Sequence, residues 1–192
     1  MDNKQQLALI SEMISTARKE FNHNGNIYLL WGWLVCVAAI GQYILLRMNS
    51  EYNALPWSLM FFGAVGQMIL MYRDRNRQST KTHVGRVIGN AWAAFGISLG
   101  LTLFMQGKLQ LNTFPIVMML YAIPLFISGA ALEANALKYG AIACWCCALV
   151  AFFVGFEEQL LLLAAAVIMG YIIPGYILNA RYKTEHLAGN NV

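Results

Sequence analysis

A chain of 192 residues that is 59% hydrophobic and only 11% charged carries less than half the charge of a soluble domain, which is about 25% charged. Most of its length lies in apolar runs, which leaves no room for a separate soluble domain and indicates one membrane domain. The formal net charge is +4, and because no recognition module accompanies the basic residues, nucleic acid is not expected as a partner.

Residues 1–26 read as a cytoplasmic leader. The polar start Met1-Asp2-Asn3-Lys4-Gln5-Gln6 and a first apolar run without a small-residue cleavage site argue against a cleavable signal peptide. Over residues 3–22, Leu7, Ile10, Ile14, Ala17 and Phe21 recur at steps of three and four, with Met13 beside them. That spacing predicts an amphipathic helix with one apolar stripe, and Lys4, Glu12, Ser15, Lys19 and Glu20 lie away from it. Asp2 and Gln5 have capping-box spacing, and Asn24-Gly25 suits a left-handed stop. Such a helix fits the headgroup plane, the underside of its own bundle, or a partner helix.

Six apolar runs follow: Ile27–Leu46, Leu55–Tyr72, Val87–Phe104, Phe114–Leu132, Tyr139–Phe156 and Leu160–Leu178. Each comes close to the roughly 20 helical residues that cross a hydrocarbon core of about 30 Å. None alternates as a barrel strand does. The expected fold is therefore all-α: a polytopic bundle of six transmembrane helices over residues 27–178, preceded by the amphipathic helix. Residues 179–192 form a cytoplasmic tail. Eleven of the 13 Lys and Arg fall in the leader, the loop after run two, the loop after run four and the tail, which an even number of spans places on one face. Only Arg47 and Lys108 fall opposite, so both termini are expected in the cytoplasm.

Three helical hairpins in series would make a threefold repeat. Tyr121-Ala122-Ile123-Pro124 matches Tyr171-Ile172-Ile173-Pro174, and Trp31, Trp33, Trp92 and Trp145 lie in the odd spans. Short matches between apolar helices also arise by chance, so repeat and coincidence both stand. In span three, Gly85, Gly89, Ala93, Gly96 and Gly100 form a small-residue ridge of the kind that lets helices approach closely. It fits a contact within the bundle or a homo-oligomer, and either way it places span three centrally. Pro124 and Pro174 each free a carbonyl four residues earlier, which serves either a packing kink or a substrate path.

The polar residues of the spans offer little chemistry. Gly96-Ile97-Ser98-Leu99-Gly100 fits the hydrolase pattern G-x-S-x-G. The elbow, however, needs a strand-to-helix turn and a nearby histidine base. His23, His83 and His186 all fall in cytoplasmic segments, about 18 Å away at 1.5 Å per residue. Cys144, Cys146 and Cys147 point to different sides of one helix, and with Cys36 they read as small apolar packing groups. No catalytic residue, cofactor site or metal site is expected, and the chain does not read as an enzyme. Gln67, Asn90, Ser128, Glu133 and Asn135 share a depth near the cytoplasmic ends of the spans and form a candidate polar pocket. Glu133 could also be a solvated helix-end charge that pairs with Lys138 or the basic loop. Arg73, Arg75, Arg77, Lys81 and Arg86 make the densest charge feature. They suit anionic headgroups, at about 1 kcal/mol per basic residue near the surface, or an acidic partner.

Leu29-Leu30-Trp31-Gly32-Trp33, Leu111-Asn112-Thr113-Phe114-Pro115 and Tyr171-Ile172-Ile173-Pro174-Gly175 together resemble a family of small six-helix bacterial integral membrane proteins of unassigned activity. The resemblance covers nearly the whole chain and implies a bacterial cytoplasmic membrane. It carries no residue role. The expected function is a non-enzymatic module that engages a partner protein or anionic lipid at the cytoplasmic face. The alternative is a small-solute or ion transporter with an inward-facing polar pocket.

Overall fold

A computed structural model describes residues 25–75 and 83–180. The described residues form helices and tight turns, with no strand among them. Six main helices follow in order: α1 Gly25–Arg47, α2 Leu59–Arg75, α3 His83–Phe104, α4 Thr113–Ala131, α5 Asn135–Ala151 and α6 Phe156–Ala180. Four segments are long and apolar enough to cross a membrane: Gly25–Arg47, Val84–Phe104, Gln106–Ala131 and Phe156–Ala180. The other two apolar helices, Leu55–Ile69 and Asn135–Ala151, are shorter. The leader helix expected over residues 3–22 and the tail from 181 onward lie outside the described residues.

Successive helices run antiparallel. One end of the bundle, here the near end, holds the start of α1 and the finish of α6, where Asn179 Nδ2 donates to Asn26 Oδ1 at 3.0 Å. At the far end the finish of α1 meets the start of α6, with Arg47 Nε 2.9 Å from Glu157 Oε2. That pair is well exposed and adds little stability. Glu157 and Glu158 lie in the first turn of α6, where carboxylates favour the helix N-terminus.

The core is built by α1, α4, α5 and α6. Without a hydrophobic drive between helices in lipid, close backbone approach and van der Waals contact must hold it together. The α5–α6 crossing supplies this at Gly140 and Gly170. A Cβ on Gly140 would come 2.9 Å from Gly170 Cα, and one on Gly170 would come 2.7 Å from Cys144 Sγ. In the same way Gly32 of α1 lies against Ile172 and Tyr171 of α6, and Gly129 of α4 against the Lys138 backbone of α5. The α4–α5 hairpin turns at Glu133, which adopts the left-handed region with φ 52°. Two backbone bonds close it, Leu132 N to Ser128 O and Ala134 N to Gly129 O.

Helices α2 and α3 are peripheral: α2 leans on α1 and α3 on α4. This corrects the central place expected for span three. Its ridge of Gly89, Ala93, Gly96 and Gly100 faces outward, and a Cβ on any of those three glycines would meet nothing within 4 Å. The bulky side wins the contact with α4 instead, through Ile88, Trp92 and Phe95. Large side chains offer more dispersion contacts per residue than a bare ridge does.

The fifth helix also sits earlier than the apolar run Tyr139–Phe156 suggests. It stops at Ala151 because Gln159 folds back over its end. Gln159 Nε2 donates to Ala151 O at 3.0 Å and to Val154 O at 3.3 Å, which satisfies carbonyls a longer helix would have used internally. The second helix begins with a 3₁₀ turn, Leu55–Ser58, that has Pro56 in its first positions. Trp57 there donates to Gln42 Oε1 at 2.6 Å and stacks on Phe114 with centroids 5.8 Å apart. Phe114 in turn meets Phe156 at 5.3 Å, so three aromatic rings tie the far ends together.

Candidate functional site

Two features at the near end stand out: a buried aromatic layer and an apolar groove beside it. The layer is made by one ring from each of four helices. Tyr28 of α1 meets Trp92 of α3 at 6.2 Å and Tyr171 of α6 at 5.9 Å between centroids. Trp92 meets Tyr171 at 6.1 Å, and Tyr171 meets Tyr121 of α4 at 5.5 Å. Mostly tilted or edge-on rings at these distances are favourably packed, at about 0.5–1.5 kcal/mol per pair.

Polar atoms thread this layer. Trp92 Nε1 donates to Ser128 Oγ at 3.2 Å, and Ser128 Oγ donates to Pro124 O at 2.7 Å. The Tyr28 hydroxyl turns toward Ser128 and Trp92 without reaching hydrogen-bonding geometry. The Tyr121 hydroxyl is likewise buried and turns toward the Cys144 thiol without reaching hydrogen-bonding geometry. Both prolines of the spans are fully buried here. Pro174 follows a π-helical turn, Ile168–Ile172, in which Ile173 N donates to Ile168 O. The Cys144 thiol donates to Ala166 O at 3.3 Å. The broken stretches of α4 and α6 are thus packed against neighbouring side chains.

The groove runs along the outside of α1 beside the start of α2, with a volume of about 570 Å³. Its wall is Asn26, Leu29, Trp33 and Val37 of α1 and Leu59 of α2. Its floor is Leu30 and Leu34, which fill the notches over Gly66 and Gly63 of α2. On the other side of this contact Trp31 Nε1 donates to Gln67 Oε1 at 2.8 Å. The bonds Trp31–Gln67 and Trp92–Ser128 each span 36 residues and join the two helices of one hairpin. Trp145 departs from that pattern and donates to Met119 O at 3.3 Å.

The five residues of the expected polar pocket are placed on four helices and one hairpin. Gln67 serves Trp31, Ser128 is buried in the aromatic layer, and Asn90 faces outward from α3. Glu133 and Asn135 are exposed at the α4–α5 hairpin. Of the basic set, Arg73 and Arg75 fall in the last turn of α2, and Arg86 is exposed in the first turn of α3. Arg77 and Lys81 lie outside the described residues. Among the described residues no three His, Cys, Asp or Glu gather as metal ligands.

Neither the layer nor the groove stood out in the sequence. The Tyr-x-x-Pro segments stood between repeat and coincidence in the sequence; in the structure their tyrosines touch, one from α4 and one from α6. The groove has helical spacing from Asn26 through Leu29, Leu30, Trp33 and Leu34 to Val37. In a span apolar on every side, that stripe has no polar background to show against.

Comparison with protein-family models, curated proteins and solved structures gives no match. Any functional reading therefore rests on the chain's own residues.

Proposed function

We propose that the chain is a six-span protein of a bacterial inner membrane with both termini in the cytoplasm. On this reading it is a non-enzymatic module that works through cytoplasmic contacts with anionic lipid or a partner protein. The observation that carries the reading is the filled aromatic layer of Tyr28, Trp92, Tyr121 and Tyr171 at the near end. A bundle packed with rings where an inward pocket would open suits a scaffold better than a conduit. Its charge supports the same reading, since 11 of 13 basic residues are assigned to the near-end face.

The transporter alternative draws less support from this geometry. Its path would be lined by Gln67, Asn90, Ser128 and Glu133, of which Ser128 is buried and Asn90 exposed, and both prolines of its helices are buried.

The test is purification of the full-length protein from native membranes in mild detergent, followed by native mass spectrometry of what stays bound. Two variants are compared with it: deletion of residues 1–22, and replacement of Arg73, Arg75, Arg77, Lys81 and Arg86 by Gln. Loss of retained anionic lipid or of a co-purifying protein supports the reading. An unchanged set in both variants overturns it.

A further inference from the structure

We propose that the outward face of α3 is a dimer interface, on which a second copy of this chain docks its own α3 in parallel at Gly89, Asn90, Ala93 and Ala94. The pairing needs only that α3 crosses the membrane, so it stands apart from the cytoplasmic contacts proposed above.

Burial comes first. Of the four long spans α3 is the least covered by its own bundle, with 11% buried against 28%, 44% and 56% in the others. Other exposed faces are bulky, with Phe61, Phe62 and Met68 on α2 and Tyr139, Ile142 and Leu149 on α5. Helix α3 differs. Between Val87 and Ile97 its exposed residues are Gly89, Asn90, Ala93, Ala94 and Gly96, so no large apolar side chain meets the lipid there. Bulky side chains pack well among acyl chains, whereas a bare backbone gains most from a second backbone that comes close. At 100° per residue Gly89, Asn90, Ala93 and Ala94 share one side of the helix. It is the side opposite Ile88 and Phe95, which pack on α4.

Asn90 selects the occupant. The span Val84–Phe104 has 21 residues, about 31 Å at 1.5 Å per residue, which matches a hydrocarbon core of about 30 Å. Asn90 then lies about 9 Å inside that core. It is exposed to lipid rather than to water, and no described residue gives its amide a hydrogen-bond partner. Acyl chains offer neither donor nor acceptor at that depth. A second Asn90 offers both, since one amide carries an acceptor oxygen and two N–H donors.

Symmetry brings the two amides together. Copies in one membrane share one orientation, so a two-fold axis along the membrane normal sets α3 parallel to α3 and pairs equal depths. Each Asn90 donates to the other and accepts from it, which fixes the register as a single asparagine does in a coiled coil. Gly89 and Ala93, four residues apart, let the backbones cross closely, at about −40° for right-handed pairs of this kind. Arg86 lies one turn nearer the surface on the same side. Two such charges repel, so the helices splay there and each guanidinium reaches toward the headgroups.

The experiment uses the full-length protein with its four native cysteines replaced by Ala, reconstituted in phosphatidylcholine vesicles at falling protein-to-lipid ratios. Single cysteines are oxidised with copper phenanthroline, and the cross-linked dimer is measured on gels. Ala93→Cys is expected to cross-link several-fold more than Phe62→Cys on α2 or Leu149→Cys on α5, and to keep that lead on dilution with lipid. Adding Asn90→Leu to Ala93→Cys lowers the dimer several-fold, whereas Asn90→Gln, which keeps an amide, retains most of it. Gly89→Leu blocks the crossing from a position where a Cβ meets nothing within 4 Å, so the fold is kept while the dimer is lost.

Equal cross-linking at all three cysteines overturns the proposal. So does a lead that vanishes on dilution, which leaves the face to lipid. Stronger cross-linking through Phe62→Cys or Leu149→Cys overturns it in favour of another face, and a dimer indifferent to Asn90→Leu overturns the amide pairing on which it rests. Should Gly89→Leu fail to fold, the cysteine pattern and the Asn90 variants decide. None of these results touches lipid or partner retention by the basic loop, so the wider reading stands or falls separately.

Discussion

The rings of Tyr121 and Tyr171 meet at 5.5 Å between centroids, with their planes at 64°. Each begins a Tyr-x-x-Pro segment, one in α4 and one in α6, so the two segments that look alike in sequence touch in space. The Tyr121 hydroxyl nevertheless ends up buried with no hydrogen-bond partner.

Removing that hydroxyl should therefore cost nothing. A buried polar group left unpaired carries a desolvation penalty of about 1–3 kcal/mol, and Tyr121→Phe keeps the ring contact while deleting the penalty. Stability is expected to stay level or to rise by about 1 kcal/mol. Tyr121→Ala, which also deletes the ring, should lose about 3–5 kcal/mol. Unfolding in mixed detergent micelles measures both. A clear loss in Tyr121→Phe would show that the hydroxyl is engaged, with the Cys144 thiol as the nearest candidate partner.

Glycine positions give a sharper contrast. Gly140→Val places a branched side chain where even a Cβ lies 2.9 Å from the Gly170 backbone, with no flexible group to yield. Overpacking of this kind costs about 1–3 kcal/mol or more, and the α5–α6 crossing should loosen or the fold be lost. Gly96→Val lies on the outward ridge of α3, where nothing is within 4 Å. It should leave the stability of the monomer unchanged or slightly improved, since glycine is a poor helix former. Thermal unfolding of the two variants side by side tests the assignment of inner and outer faces.

That ridge shows where a sequence is legible and where it is not. Helix positions could be read because span length and apolarity are properties of one segment at a time, and the structure has a helix at each of the six runs. Which side of a span faces its neighbours is a property of pairs. The small residues of α3 looked like the contact, yet Ile88, Trp92 and Phe95 make it. The small residues that do cross closely, Gly140 and Gly170, stand in the shorter patterns Ala136-x-x-x-Gly140 and Ala166-x-x-x-Gly170, which the longer ridge of α3 overshadowed. The candidate polar residues meet the same limit. Equal depth along the membrane normal says nothing of rotation about each helix axis, and rotation turns Asn90 outward and Ser128 inward.

The two tryptophan bonds of equal span allow a direct measurement. Trp31 to Gln67 and Trp92 to Ser128 join the partners of their hairpins at 2.8 Å and 3.2 Å. Polar contacts between membrane helices average about 0.6 kcal/mol, with a maximum of about 1.7. A double-mutant cycle of Trp92→Phe with Ser128→Ala should give a coupling near that average. Trp31→Phe with Gln67→Leu should couple more strongly, because α2 has fewer other contacts and its bond is shorter. Equal or zero coupling in both cycles would mean that the bonds orient the helices without stabilising them.

The number of spans turns on α2 and α5. At 17 residues, α5 is about 26 Å long at 1.5 Å per residue, a few Å short of an average hydrocarbon core. A short span is accommodated by local thinning or by flanking residues, at fractions of a kcal/mol per Å. Exposed Phe152 and Phe153 follow its end and can extend the apolar length. Six spans with cytoplasmic termini therefore predict a fixed labelling pattern for single cysteines in a background in which the four native cysteines are replaced by Ala. Asn49→Cys, Gln106→Cys and Glu158→Cys should react with a membrane-impermeant maleimide in intact cells, whereas Glu133→Cys and Asn135→Cys should react only after lysis. Were α5 to lie along the surface instead of crossing, Glu158 would move to the same side as Asn135 and react only after lysis. Were neither α2 nor α5 to cross, Asn49 and Glu158 would still lie outside, but Gln106 would react only after lysis and Glu133 and Asn135 in intact cells. The pair Gln106→Cys and Glu133→Cys thus decides between six spans and the four long ones.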